Sequence, residues 1–182
     1  YLTSPNMARL AREGMRFVSG YSPAPLCTPT RRSVQFGMTP ARQHGTAFKS
    51  VDYDPKAHLS IPQMLKKISP EYRCAHFGKW GEQMDALPED LGYDASDGDT
   101  GNRTGGSDGK RGQDRFLAQV VDDPKLSFSL ADRARRFIER QTQEGRPFYL
   151  QVSFYATHLD VQARAETLAK NKAKGRPPKA YN

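Results

Sequence analysis

Residues 60–80, SIPQMLKKISPEYRCAHFGKW, decide the fold. Ser60 stands ahead of Pro62, the grammar of a helix start: a serine oxygen accepts a first-turn N–H, and proline lacks only a donor that the first turn leaves unused. YRCAHFG, immediately behind, reads as a buried strand. The same order recurs on either side. TSPNMARLAREG, residues 3–14, offers Thr3 or Ser4 as N-cap, Pro5 in the first turn and Gly14 as the stop, with Met7, Leu10 and Ala11 as the apolar stripe. MRFVSGY then reads as a short strand. Later, SLADRARRFIERQ sets Leu130, Ala134, Phe137 and Ile138 on one helical face and leads into the strand FYLQVSFY, residues 148–155. Alternating helices and strands predict an α/β layer fold, a largely parallel sheet flanked by helices.

The bulk numbers set bounds. With 182 residues the chain is long enough for one domain with a real core. Hydrophobic residues make up 36%, and no run approaches the roughly 18–20 apolar residues of a membrane helix, so no membrane partner is expected. Two cysteines, Cys27 and Cys74, make neither a disulfide framework nor a zinc site. The net charge of +8 attracts polyanions, partly through the tail AKNKAKGRPPKAYN. No zinc-finger spacing or RNP-type aromatic pattern accompanies it, so nucleic acid is not expected as a partner. ASDGDTGNRTGGSDGKRGQDR, residues 95–115, has too few apolar residues to order itself and reads as a flexible surface loop, with a formal glycosylation sequon at Asn102. Residues 163–182 read as a basic loop.

The chemistry gathers in APLCTPTRRSVQFG, residues 24–37. If Thr28–Arg31 open a helix that ends near Gly37, Cys27 sits at its N-terminus, where free N–H groups and the macrodipole favour negative charge. Arg31, four residues on, lies one turn up the same face, and its planar fork suits an oxyanion. A fixed Cys-x-Pro-x-Arg arises by chance in a chain of this length at a rate on the order of one per cent or less.

CTPTR followed by FGMTPARQHG resembles the signature of the sulfatase family, within the alkaline phosphatase superfamily. Four further stretches resemble family segments in the same order: TSPNMARLAREGMRFVSGYS, AHFGKW, PEDLGYD and RPFYLQVSFYATH. The resemblance covers most of the chain outside the loop 95–115 and implies one partial sulfatase catalytic domain over residues 1–182.

The resemblance implies that Cys27 is oxidised to formylglycine by a formylglycine-generating enzyme. The hydrated aldehyde attacks sulfur and also ligates a metal, usually calcium or another divalent cation. Arg31 would support the formylglycine, Lys79 would contact the sulfate, and His158 would contact the sulfate or the leaving oxygen. The implied function is a sulfuric ester hydrolase acting on a sulfated small molecule or polysaccharide. The implied compartment is periplasmic, secreted or lysosomal. His44, His58 and His76 read as structural or exposed.

Two departures stand out. The family often has a histidine base directly after Gly-Lys-Trp, where this chain has Gly81, and a proline follows the histidine where this chain has Leu159 and Asp160. The paired acidic metal ligands of the family are not found, because Asp122 and Asp123 sit at the wrong place for that role. The expectation is an internal fragment with little or no hydrolase activity alone. Two other readings stay open: a phosphonate or phosphate ester hydrolase of the same superfamily, and a non-catalytic polyanion-binding module.

Overall fold

The computed structural model describes residues 4–43, 57–82, 84–101, 122–158 and 162–175. In chain order the elements are α1 (Pro5–Glu13), α2 (Cys27–Phe36), α3 (Ile61–Ile68), β1 (Arg73–Gly78), β2 (Ala95–Ser96), α4 (Ser127–Gln143), β3 (Phe148–Ser153) and α5 (Ala165–Lys172). The chain divides into two compact units, residues 1–22 with 164–182, and residues 23–163.

The second unit carries the sheet. Its order is β2-β1-β3, with β1 pairing parallel to both neighbours. Arg73 lies opposite Phe148 and the register runs unbroken to Gly78 opposite Ser153. A central parallel strand is covered on both faces, and β1 is buried from Cys74 through Gly78. Because successive side chains of a strand point to opposite faces, β1 feeds two cores. Cys74 joins Trp80, Met84, Leu91 and Tyr93, with Phe36 of α2 and Tyr149 packed against them. Ala75 and Phe77 join Leu130 of α4 and Tyr155, with Phe137, Leu150 and Val152 alongside. The sheet thus lies between α2 on one face and α4 on the other, the layered α/β arrangement that the sequence predicts.

The helix ends follow local chemistry. Ser60 and Gln63 make a reciprocal capping box at α3, the Ser60 side chain accepting from the Gln63 N–H and the Gln63 side chain from the Ser60 N–H. The Ser60 hydroxyl also donates to the Leu91 carbonyl at 2.6 Å, tying α3 to the turn before β2. Gly37 ends α2 in the left-handed region at φ 61, where a Cβ would be strained.

Several expectations need correction. In the first unit α1 begins at Pro5 and stops at Gly14, but residues 15–22 form no strand. A strand exists through hydrogen bonds to a neighbour, and the described residues of that unit contain none to pair with. The apolar stripe of α1 is not buried there, since Met7 and Leu10 are exposed. Residues 163–182 are not simply a loop, because Ala165–Lys172 form α5. The expected loop 95–115 starts later than composition suggests: Ala95–Ser96 are β2, and Thr100 and Gly101 are buried. The remainder of that loop, including Asn102, lies outside the described residues. On α4, Leu130 and Ala134 are buried, whereas Ile138 is exposed.

Candidate functional site at the carboxyl end of the sheet

Ligand sites of parallel α/β sheets form where strands end, because loops diverge there while helix N-termini point inward. In this chain β1 ends at Gly78, β3 ends at Ser153, and α2 starts at Cys27. The turn after β1 is very tight. Gly78 has φ 94, and a Cβ on it would lie 2.1 Å from the Ser153 carbonyl oxygen. The Lys79 N–H donates to that same oxygen at 2.8 Å, so the ladder continues one residue beyond the strand. Thr100 clamps the turn from the β2 side, donating its hydroxyl to the Gly78 carbonyl and accepting the Trp80 N–H at 2.9 Å. Trp80 is 1% exposed and donates its indole N–H to the Ala86 carbonyl. The Lys79 backbone is thereby fixed.

Three side chains stitch the start of α2 to the same segment. Thr28 Oγ1 donates to the Glu82 carbonyl at 2.7 Å, Arg31 Nη1 donates to the Lys79 carbonyl, and buried Arg32 pairs with Asp85. Cys27, in no disulfide, is half-buried as the first residue of α2. Cys74 is free and buried in the core, so the two form no bridge.

The charges converge here. Lys79 is 3% exposed. Burial lowers the ammonium below its ordinary pKa; the Cys27 charge opposes this, Arg31 adds to it, and a hydrogen bond with Cys27 opposes it again. Arg31 is likewise lowered by burial, against the raising influence of Cys27 and Tyr155. His158 follows β3 at the exposed rim, in a turn where its N–H donates to the Tyr155 carbonyl at 3.1 Å. Its imidazole is lowered first by partial desolvation, then by the positive charges of Lys79, Lys125 and Arg31, while Glu82 opposes them.

The structure therefore brings Cys27, Arg31 and Lys79 together, and the charges of Arg31 and Lys79 bear on His158. It also adds two residues that sequence reading missed. Lys125 is 4% exposed and occupies the left-handed region at φ 69, in a turn before α4. The Asp123 carboxylate fixes that turn by accepting the N–H groups of Phe128 and Ser129 at 3.0 and 2.7 Å. A lysine in a left-handed turn leaves no periodic signal. Glu82 beside Gly81 is the other. His76 is fully buried, its Nε2 3.1 Å from Ser153 Oγ, and stands edge-on to the rings of Trp80 and Tyr93. His58 is half-buried, and His44 lies outside the described residues.

The donor set suits an anion. Buried cations beside a helix N-terminus favour a sulfuryl or phosphoryl group, and Cys27 is the first residue of that helix. A dication is different, since calcium takes about six oxygen ligands. Among the described residues no group of three or more His, Cys, Asp or Glu side chains could hold a metal ion. These residues do not fit a metal centre. Among the described residues, too, no helix is long and apolar enough to cross a membrane.

The chain has relatives among known proteins. The family model described as Sulfatase matches residues 1–180. The chain is 28% identical to mouse N-acetylgalactosamine-6-sulfatase, over 91% of its own length and 37% of the relative's. It is 28% identical to rat arylsulfatase G, over 85% and 36% of the two chains. It thus spans little more than a third of these relatives. The crystal structure of PsFucS1 sulfatase from Pseudoalteromonas sp. superposes with a TM-score of 0.65 at 24% identity, covering 89% of this chain and 40% of that one, a likeness of fold.

Proposed function

The chain belongs to the sulfatase family, and from that premise we propose that it supplies the nucleophile and sulfate-binding end of a sulfuric ester hydrolase. The observation that carries this reading is the meeting of Arg31 and buried Lys79 at Cys27, the first residue of α2. Formylglycine made from Cys27 would supply the hydroxyl nucleophile. Lys79 and Arg31 bind the sulfuryl oxygens, their positions fixed because the Arg31 guanidinium is anchored on the Lys79 carbonyl. Such preorganised cations stabilise charge that develops in the transition state. His158, at the rim, donates a proton to the leaving ester oxygen, and Lys125 adds positive charge beside it.

The substrate class is a sulfate ester of a small molecule or polysaccharide, and the names of the two relatives favour sulfated sugars or aryl sulfates. The chain spans little more than a third of its relatives, and the 182-residue chain alone is expected to show little or no turnover. A periplasmic, secreted or lysosomal compartment accompanies the reading. The experiment is hydrolysis of an aryl sulfate and an aryl phosphate by the full-length protein and its Cys27→Ala variant. Preferred sulfate hydrolysis that Cys27→Ala abolishes is expected. Preference for the phosphate would move the assignment to phosphate or phosphonate esters, and activity untouched by Cys27→Ala would overturn it.

A further inference from the structure

β2 is too short to serve the whole of β1. It pairs Ala95 with Ala75 and Ser96 with His76, whereas β3 accompanies β1 as far as Gly78. The Asp97 N–H still reaches the His76 carbonyl at 3.3 Å, and then the chain turns, the Gly98 N–H donating to Ser96 Oγ at 2.8 Å. A side chain takes over from the ladder. Asp97 Oδ2 accepts the Gly78 N–H at 2.7 Å, so a buried donor that a longer β2 would have paired is satisfied by a carboxylate. The other oxygen, Oδ1, pairs with Arg133 of α4. That guanidinium in turn lies 4.5 Å from the centre of the Phe77 ring on β1. Both oxygens of the carboxylate are therefore held, one by β1 and one by a helix packed on β1.

We propose that Asp97 is a positioning residue for Lys79; its consequence for turnover rests on the sulfate-ester reading above. Gly78 immediately precedes Lys79, and with Asp97 in place every backbone polar group from the Gly78 N–H to the Trp80 N–H has a partner. Thr100 takes the Gly78 carbonyl and the Trp80 N–H, Ser153 takes the Lys79 N–H, and Arg31 takes the Lys79 carbonyl. Asp97 adds the tie to α4 through Arg133. The helices on the two faces of the sheet, α2 through Arg31 and α4 through Asp97, thus bear on one lysine. Precision of this kind matters to a preorganised cation, since a displacement of about 1 Å costs on the order of 10²-fold in rate.

Two variants of the full-length protein test this. Asp97→Ala removes the acceptor, and Asp97→Asn keeps an acceptor oxygen while giving up the charge that Arg133 holds. Hydrogen exchange should show the Gly78 amide losing protection in Asp97→Ala, with residues 74–77 unchanged and Asp97→Asn in between. Turnover adds a test that a merely structural residue fails. On an aryl sulfate, Asp97→Ala should lower kcat/KM at least about 10-fold. In a Lys79→Met background the same change should cost less than about twofold, because the lysine through which it acts is gone. Equal losses in the two backgrounds, or parental kinetics in folded Asp97→Ala, would overturn the proposal. So would unchanged protection of Gly78. Exchange is read without turnover: if the parent hydrolyses no sulfate ester while Asp97→Ala still strips protection from Gly78, the sulfate-ester reading fails and the hold of Asp97 on the turn stands.

Discussion

Arg31 donates its guanidinium to the backbone carbonyl of Lys79, 48 residues further along the chain. One hydrogen bond thus fixes the second turn of α2 against the turn that ends β1, and both cations reach residue 27 from a rigid frame. The bond spends one face of the arginine fork on the protein and leaves the rest for an anion.

Lys79 is expected to be indispensable to turnover. Replacing it with methionine keeps the apolar stem and removes the charge, so the full-length protein should fold while kcat/KM for an aryl sulfate falls about 10²- to 10³-fold. Lys79→Arg should not restore the rate, because the wider fork does not fit a site that buries the ammonium to 3% exposure. Near-parental kinetics in Lys79→Met would remove this residue from the mechanism.

Gly78→Ala should be severely destabilising. The new methyl would sit 2.1 Å from the Ser153 carbonyl oxygen, and φ 94 strains any L side chain. A loss of at least about 2 kcal/mol is expected from strain and displaced ladder geometry together, read by urea unfolding. A loss below about 0.5 kcal/mol would mean that the β1–β3 junction is looser than described.

Ser60→Ala should cost about 1–2 kcal/mol, since it removes the capping box of α3 and also the bond to the Leu91 carbonyl. Ser60→Thr should recover much of it. Thermal unfolding of the two variants side by side distinguishes the lost oxygen from a general intolerance of change.

Stability should fall in mild acid because of His76. Its ring is buried, with Arg31 adding to the effect and Asp97 opposing it, and its pKa is lowered from 6.5 to about 4. The unfolded chain binds the proton first as the pH falls. Stability is therefore unaffected above 6.5 and drops as the pH passes from there through about 4, by about 3 kcal/mol at the limit. His76→Phe, which keeps a ring against Trp80 and Tyr93, should flatten the dependence in that window. An equal slope in parent and variant would assign the acid sensitivity elsewhere.

Local chemistry made much of the fold legible. Ser60 with Pro62 marks the start of α3, Gly37 marks the end of α2, and the apolar run through Cys74 and Phe77 marks the central strand. Cys27 and Arg31 share a face because helical spacing demands it, so half of the candidate site is written in one segment. What sequence could not supply is partnership. Residues 15–21 have strand composition but no neighbour to pair with among the described residues of their unit. Ile138 continues a helical stripe beyond the edge of what α4 covers. Lys125 sits in a left-handed turn, a consequence of backbone conformation and not of pattern.

The most direct measurement is a peptide mass spectrum across residue 27 after co-expression with a formylglycine-generating enzyme, beside a control sulfatase peptide. Conversion of Cys27 to the aldehyde is the expected result, since LCTPTR then serves as a sulfatase site. An unmodified Cys27 next to a converted control would contradict the central claim and leave a polyanion-binding module as the better description of the chain.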